Sequence, residues 1–287
     1  MIPEPYNSYH EFYKASLSDR DFARISNFIL EEYGIKLPPV KKVMLESRLQ
    51  KRLKSLNISS FKTYVDYLFT AEGQRNEVVQ MMDVVSTNKT DFFREKAHFD
   101  LLSESILPEL YHKIKYRNLK IWSAGCSSGE EAYTLAIVLS EFAEKTCGFG
   151  FSIFATDIST KMLKLAEEAI YKVERVEEIP FQLKRKYFLK GKNAAENKVR
   201  ITPSLRCKVN FERLNLISRN YGIREKFDII FCRNVLIYFN RNTQEYILNK
   251  LCSNLNNNGY LFLGHSESIT GLKLPLAHIK PTVYQKL

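Results

Sequence analysis

The chain has 287 residues, 45% hydrophobic and 26% charged, an ordinary balance for a globular protein with length enough for two domains. No uncharged apolar run reaches about 18 residues, and the opening MIPEPYNSYHEFYK lacks the basic-then-apolar layout of a secretory signal, so a cytoplasmic chain without membrane insertion is expected. Five scattered cysteines without a C-x-x-C pair argue against disulfides and zinc, and the net charge of +11 comes without a nucleic-acid-binding signature, so neither a metal nor nucleic acid is expected.

The first third reads as helices. Phe22, Ile25, Ile29 and Tyr33 recur at spacings of three and four, the stripe of an amphipathic helix, and Gly34 and Pro38-Pro39 end it. The next helix, from Val40 to Leu56, carries Leu45, Leu49, Leu53 and Leu56 on one face and Lys41, Arg48 and Arg52 on an adjoining stripe. Between Lys36 and Lys62 stand eight Lys or Arg against one acid, Glu46. Ser60 caps a third helix that turns Phe61, Tyr64 and Leu68 inward. In STNKTDFFREKAH, from Ser86 to His98, the aromatic pair beside Arg94 suits a packed helix start or a lid, and the planar fork of Arg94 suits a carboxylate.

From about Leu119 short apolar runs alternate with helical patterns. LKIWSAG, FSIFATD, FDIIFCRN and GYLFLGH read as strands, which implies βαβ units and a mostly parallel sheet. Ile179 to Glu212 interrupts the alternation; there KVRIT and KVNFERL read as short strands, with KGKNAAENK as a turn.

IWSAGCSSGEEAYTLAI runs from a strand through the turn Gly125 to Gly129 into a helix that begins at Glu130 or Glu131. Cofactor binding at the carboxyl end of the first strand is one reading. A nucleophile elbow is another, because Gly125 to Gly129 fits G-x-S-x-G, with Ser127, Asp228 and His265 as its triad; a plain structural turn is the third. Two acids at the helix start repel a phosphate, so a pyrophosphate is disfavoured and the ammonium and sulfonium of S-adenosylmethionine fit better. Asp157 ends the second strand, 28 residues after Gly129, where it either accepts from ribose hydroxyls or caps the next helix. Cys232-Arg233-Asn234 end a central strand where ligands bind, with Tyr238 nearby as a site residue or a core aromatic. His265 is a candidate base or a satisfied structural residue.

Together, STNKTDFFRE, WSAGCSSGEEAYTLA, ATDIS, FCRNVLIYF-NRNTQE and GYLFLGHSES resemble, in order and over nearly the whole chain, the motif series of the chemotaxis receptor methyltransferase (CheR) family. The resemblance implies an all-α N-terminal domain over 1–85 and a Rossmann-like α/β domain over 86–287, with an antiparallel β insertion at about 180–212. It implies S-adenosylmethionine as cofactor and the cytoplasmic domains of methyl-accepting chemotaxis receptors as partners, with glutamate methyl esters as product and a monomeric enzyme. Asn88, Thr90, Arg94, Gly125, Glu130 or Glu131, Asp157, Asn215, Leu216, Arg233 and Asn234 would surround the cofactor. Arg94 and Tyr238 would flank the transfer centre, and Lys41, Arg48 and Arg52 would dock the receptor. The turn KGKNAAENK has Gly191 alone where many members carry a Gly-x-Gly-Pro-type turn for a receptor tail peptide. GCSSGEEA stands for the commoner GCSTGEEP. A glutamate carboxylate is already ionised at neutral pH, so transfer from a sulfonium needs alignment rather than a general base.

Overall fold

The computed structural model describes residues 15–113, 118–191 and 197–287. The leading MIPEPYNSYHEFYK and most of the KGKNAAENK turn lie outside them. Two compact units meet in sequence at Thr87–Asn88.

The first unit is helical: α1 (Asp19–Tyr33), α2 (Lys42–Ser55), α3 (Phe61–Leu68), α4 (Ala71–Asn76) and α5 (Val78–Val85). Ser18 caps α1 by accepting from the Asp21 amide, and Gly34 ends it at φ 69, in the left-handed region that glycine adopts without strain. Phe22, Ile25, Ile29 and Tyr33 are buried as the periodicity requires. A 3-10 turn, Pro39–Lys41, leads into α2, whose Leu45, Leu49 and Leu53 are buried, each contributing about 2 kcal/mol of apolar transfer. Leu56 falls at the helix end and is only half-buried. Ser60 caps α3 through the Thr63 amide.

The second unit begins with α6 (Ala97–Leu101), a π-helical turn (Leu102–Ile106) and α7 (Leu107–Lys113), and then builds a seven-stranded sheet. Its elements are β1 (Leu119–Ala124), α8 (Glu130–Lys145), β2 (Phe151–Asp157), α9 (Thr160–Glu168), β3 (Ile170–Lys172), α10 (Phe181–Tyr187), β4 (Phe188–Lys190), β5 (Lys198–Ile201), α11 (Pro203–Arg206), β6 (Val209–Arg213), β7 (Phe227–Cys232), α12 (Arg241–Ser253), β8 (Leu255–Leu263), β9 (Leu276–Lys280) and β10 (Val283–Lys286). The strand order is β6-β2-β1-β7-β8-β10-β9, parallel through β8, with β10 and β9 antiparallel. All six residues of β7 are buried, as expected for a strand covered on both faces. Along β1 the side chains alternate between two cores: Ile121 packs with Tyr133, Leu135 and Phe262, and Trp122 packs with Phe227, Ile230 and Leu251.

β3, β5 and β4 form a separate antiparallel sheet. That sheet starts at Ile170, earlier than the insertion expected from Ile179 onward. KVNFERL is not part of it: β6 pairs in parallel with β2 at the edge of the main sheet.

The chain leaves β1 toward β2 on one side and later returns to β7 on the other, so strand order reverses between β1 and β7. Ligands in open α/β sheets bind outside the carboxyl ends of the strands at such a switch point. The Gly125 turn, Asp157, Arg233-Asn234 and Gly264-His265 all follow strands at that end.

Candidate active site

The turn after β1 contains three residues in the left-handed region: Gly125 (φ 91), Ser127 (φ 50) and Gly129 (φ 94). Both glycines are fixed by backbone and packing. A Cβ on Gly125 would lie 2.3 Å from a Val235 methyl, and one on Gly129 would lie 2.9 Å from the Ala166 Cβ of α9. Four amides of the turn have internal acceptors. Gly125 and Cys126 donate to the Thr156 carbonyl, Gly129 to the Cys126 carbonyl and Ser127 to Asp157 Oδ2 at 2.8 Å. These four N–H groups are therefore not open to a phosphate.

Asp157 is buried and also accepts from the Ser159 amide at 2.9 Å. The cap of α9 is Ser159, which accepts from the Met162 amide, so Asp157 is not that helix's cap. Leu214, after β6, donates its amide to the Asp157 carbonyl, which brings Asn215 and the buried Leu216 beside the end of β2.

The two acids opening α8 are both paired. Glu130, 1% exposed, accepts from the Ser128 hydroxyl at 2.7 Å and from Arg175. Glu131 accepts from the Ser123 hydroxyl at 2.7 Å and lies 3.4 Å from Arg233. Burial raises the Glu131 carboxyl above its usual range, while Arg233 and Ser123 pull it back.

Arg233 is itself buried, over the rings of Phe99 and Phe231. It bonds Glu95 at 3.0 Å and the Arg94 carbonyl. Burial pushes Glu95 up, but Arg233, the Asn234 amide group and the His265 N–H outweigh that and hold its carboxyl below the usual range. The segment Asn88–Glu95 is thereby held against the strand ends. The Asn88 carbonyl accepts from the Ser127 hydroxyl, the Phe93 amide donates to Thr134, and Arg94 Nη1 donates to the Lys89 carbonyl at 2.8 Å. Thr90 is buried there, its carbonyl bonded by Arg175.

Asn234 (φ 58) and the 3-10 turn Leu236–Tyr238 follow β7. Glu267, 5% exposed, accepts from the amides of Gly264, Asn234, Val235 and Leu236, tying the loops after β7 and β8 together and fixing the turn that carries Tyr238. Sequence reasoning missed Glu95, Arg175 and Glu267; for Glu267 the available signal was an acid just after a strand end in GHSES.

His98 lies buried beneath this network. His98 Nε2 and the Thr282 hydroxyl share a hydrogen bond at 2.9 Å, and Nδ1 lies 3.6 Å from Glu95. Burial, with Arg233 adding to it, pulls the His98 pKa down from 6.5 to about 4. The unfolded chain binds a proton between these values and the folded chain does not, so stability contributed by His98 is lost as pH falls through that window. The loss amounts to about 3 kcal/mol at most, with the upward-shifted Glu131 and Glu267 opposing it. Thermal melts from about pH 7 to pH 5 should show a shallower decline for His98→Gln than for the parent; equal slopes would remove His98 as the source.

The hydrolase reading fails on topology. Asp228 lies at the start of β7, accepting from the Lys120 amide and Asn256, whereas Ser127 follows the opposite end of β1. Ser127 Oγ donates to the Asn88 carbonyl rather than to a histidine.

Four acids, Glu95, Glu130, Glu131 and Asp157, stand at the strand ends around the switch point, each with polar partners of its own. The family model described as CheR methyltransferase, SAM binding domain matches residues 88–285, and the CheR methyltransferase, all-alpha domain model matches residues 20–86. The chain belongs to the CheR methyltransferase family. The chemotaxis protein methyltransferase of Borreliella burgdorferi is 39% identical over 275 residues, covering 94% of this chain and 95% of the relative. Chemotaxis protein methyltransferase 2 of Pseudomonas aeruginosa is 35% identical (98% and 97% covered), and the Escherichia coli enzyme is 35% identical (94% and 92%). As a CheR enzyme, this protein is a chemotaxis methyltransferase that uses S-adenosylmethionine.

In the helical unit, the basic stripe on α2 is partly engaged. Arg48 donates to the Val85 and Ser86 carbonyls at the end of α5, and Arg52 makes a two-point pair with buried Glu77 at 2.8 and 2.7 Å. Lys41 is half-buried in the 3-10 turn before α2, while Val40 and Val43 are strongly exposed. No helix among the described residues is long and apolar enough to cross a membrane.

Proposed function

We propose that the chain methylates glutamate side chains on the cytoplasmic domains of chemotaxis receptors, with the cofactor held at the β1–β7 switch point. The observation that supports the site assignment is the placement of acids at the switch point: Asp157 ends β2, and Glu131 opens the helix that follows β1. When bound, S-adenosylmethionine supplies an electrophilic methyl group on a sulfonium. Asp157 would accept from its ribose, Asn215 and Leu216 would flank its adenine, and Asn88, Thr90, Gly125 and Asn234 would line the pocket. Glu131, more exposed than Glu130, is the acid better placed for its ammonium. Arg233 balances the charge of Glu95 and Glu131 from below.

Arg94 would orient the substrate carboxylate, and Tyr238 would stand beside the methyl group; no group needs to remove a proton. Calorimetric titration with S-adenosylhomocysteine, followed by methyl transfer to receptor-containing membranes, tests the reading; absence of both would overturn it. Arg94→Ala should lower turnover more than about tenfold with little change in melting temperature. A well-folded, fully active Arg94→Ala protein would exclude Arg94 from the transfer centre.

For receptor contact, the antiparallel sheet offers a groove with Val176, Phe188 and Val199 on its apolar lining and Lys184, Arg185 and Lys190 around it. This supports a role in receiving an acidic, partly apolar receptor tail, even though the turn there carries Gly191 without a proline.

A further inference from the structure

We infer that Arg175, on the insertion, is a positioning residue for the cofactor site, so that the antiparallel sheet helps assemble the pocket as well as offering a groove. The inference rests on the placement of the cofactor proposed above. Arg175 lies in the 3-10 turn Val173–Val176, directly after β3, and Val176 anchors that turn in the core. Its Nη1 donates to Asp91 at 2.9 Å, and its Nη2 donates to the Glu130 carboxylate and to the Thr90 carbonyl. One guanidinium thus joins the start of α8 to the segment that carries Arg94.

A second tie runs in parallel: four residues earlier, on β3, Tyr171 donates its hydroxyl to the Ser128 carbonyl at 2.8 Å and packs edge-on against Phe92 at 5.0 Å. The insertion therefore grips both the glycine turn and the Asn88–Glu95 segment. Glu130 is almost wholly buried, and Arg175 is the cation that offsets its charge among the described residues. A planar fork can reach two carboxylates and a carbonyl at once, and a lysine ammonium on a flexible stem cannot hold all three in this geometry.

Loss of this grip should show in cofactor affinity before chemistry. Arg175→Met should raise the KM for S-adenosylmethionine and the Kd for S-adenosylhomocysteine by about tenfold or more, with kcat at saturating cofactor changed less than about threefold. Arg175→Lys should recover only part of the loss. In a cycle with Glu130→Gln, the double variant should be little worse than the poorer single one, since both remove the same tie. Asp91→Asn, at an exposed position, should raise the same KM by about twofold to threefold and covers the case in which Arg175→Met fails to fold. Unchanged cofactor KM and Kd in a folded Arg175→Met protein, or strict additivity with Glu130→Gln, would overturn the inference. If Arg175→Met does not fold, an unchanged KM in Asp91→Asn would do so. A parent protein that binds no S-adenosylhomocysteine would instead remove the cofactor placement beneath it.

Discussion

An Asp157→Ala protein should bind S-adenosylhomocysteine about a hundredfold more weakly than the parent, a difference readable by calorimetry. The carboxylate accepts from two backbone amides, Ser127 at 2.8 Å and Ser159 at 2.9 Å, and is 8% exposed. The Ser127 bond exists with or without cofactor, so its loss weakens binding by loosening the turn that frames the pocket. Ser127 is held at φ 50 within the turn, and without its acceptor that strained backbone has less reason to keep its shape. Loss of the proposed ribose contact adds to this. Asp157→Asn should fall between, because one oxygen remains to accept while the new amide group faces an N–H. Unchanged affinity in Asp157→Ala would take this residue out of the pocket.

The legible parts of the molecule are those whose cause is local. β7 announces itself because a strand covered on both faces is apolar through most of its length, β1 and β2 because most of their residues are buried, and the glycine turn because few other residues adopt its backbone. β3 is hidden because α9 ends at Ala169 with φ 53, and three residues that look like a helix tail then run as strand. β6 is short, mostly exposed and at an edge, so nothing local says that it pairs with β2 rather than with its sequence neighbours β4 and β5. The same limit governs the site. Glu130 and Glu131 read as open acids at a helix start, but their partners Arg175 and Arg233 come 45 and 102 residues later. The sheet order brings Arg233 back beside β1, and the separate antiparallel sheet brings Arg175. Glu267 is similar: four amides from two loops meet one carboxylate, and each loop alone is unremarkable in sequence.

In the helical unit, Arg52→Ala should destabilise folding by about 3 kcal/mol or more, measured by denaturant unfolding. Glu77 is 1% exposed and accepts from Arg52 through both oxygens and from the Tyr64 hydroxyl at 2.9 Å, so removing the guanidinium leaves a buried carboxylate without its cation. Lys41→Ala should by contrast leave stability within about 0.5 kcal/mol and act, if α2 docks on acidic receptor helices, on the rate and salt dependence of receptor methylation. A lowered rate in Arg52→Ala would be ambiguous between lost docking and lost fold. The pair Arg52→Met with Glu77→Leu separates them, because replacing a buried ion pair by apolar side chains of similar size is often neutral or stabilising. Should that double variant regain stability and still methylate receptors slowly, Arg52 contributes charge to docking. If its rate returns with its stability, the Arg52 guanidinium serves the helical core, and docking falls to Lys41 and the exposed Val40 and Val43.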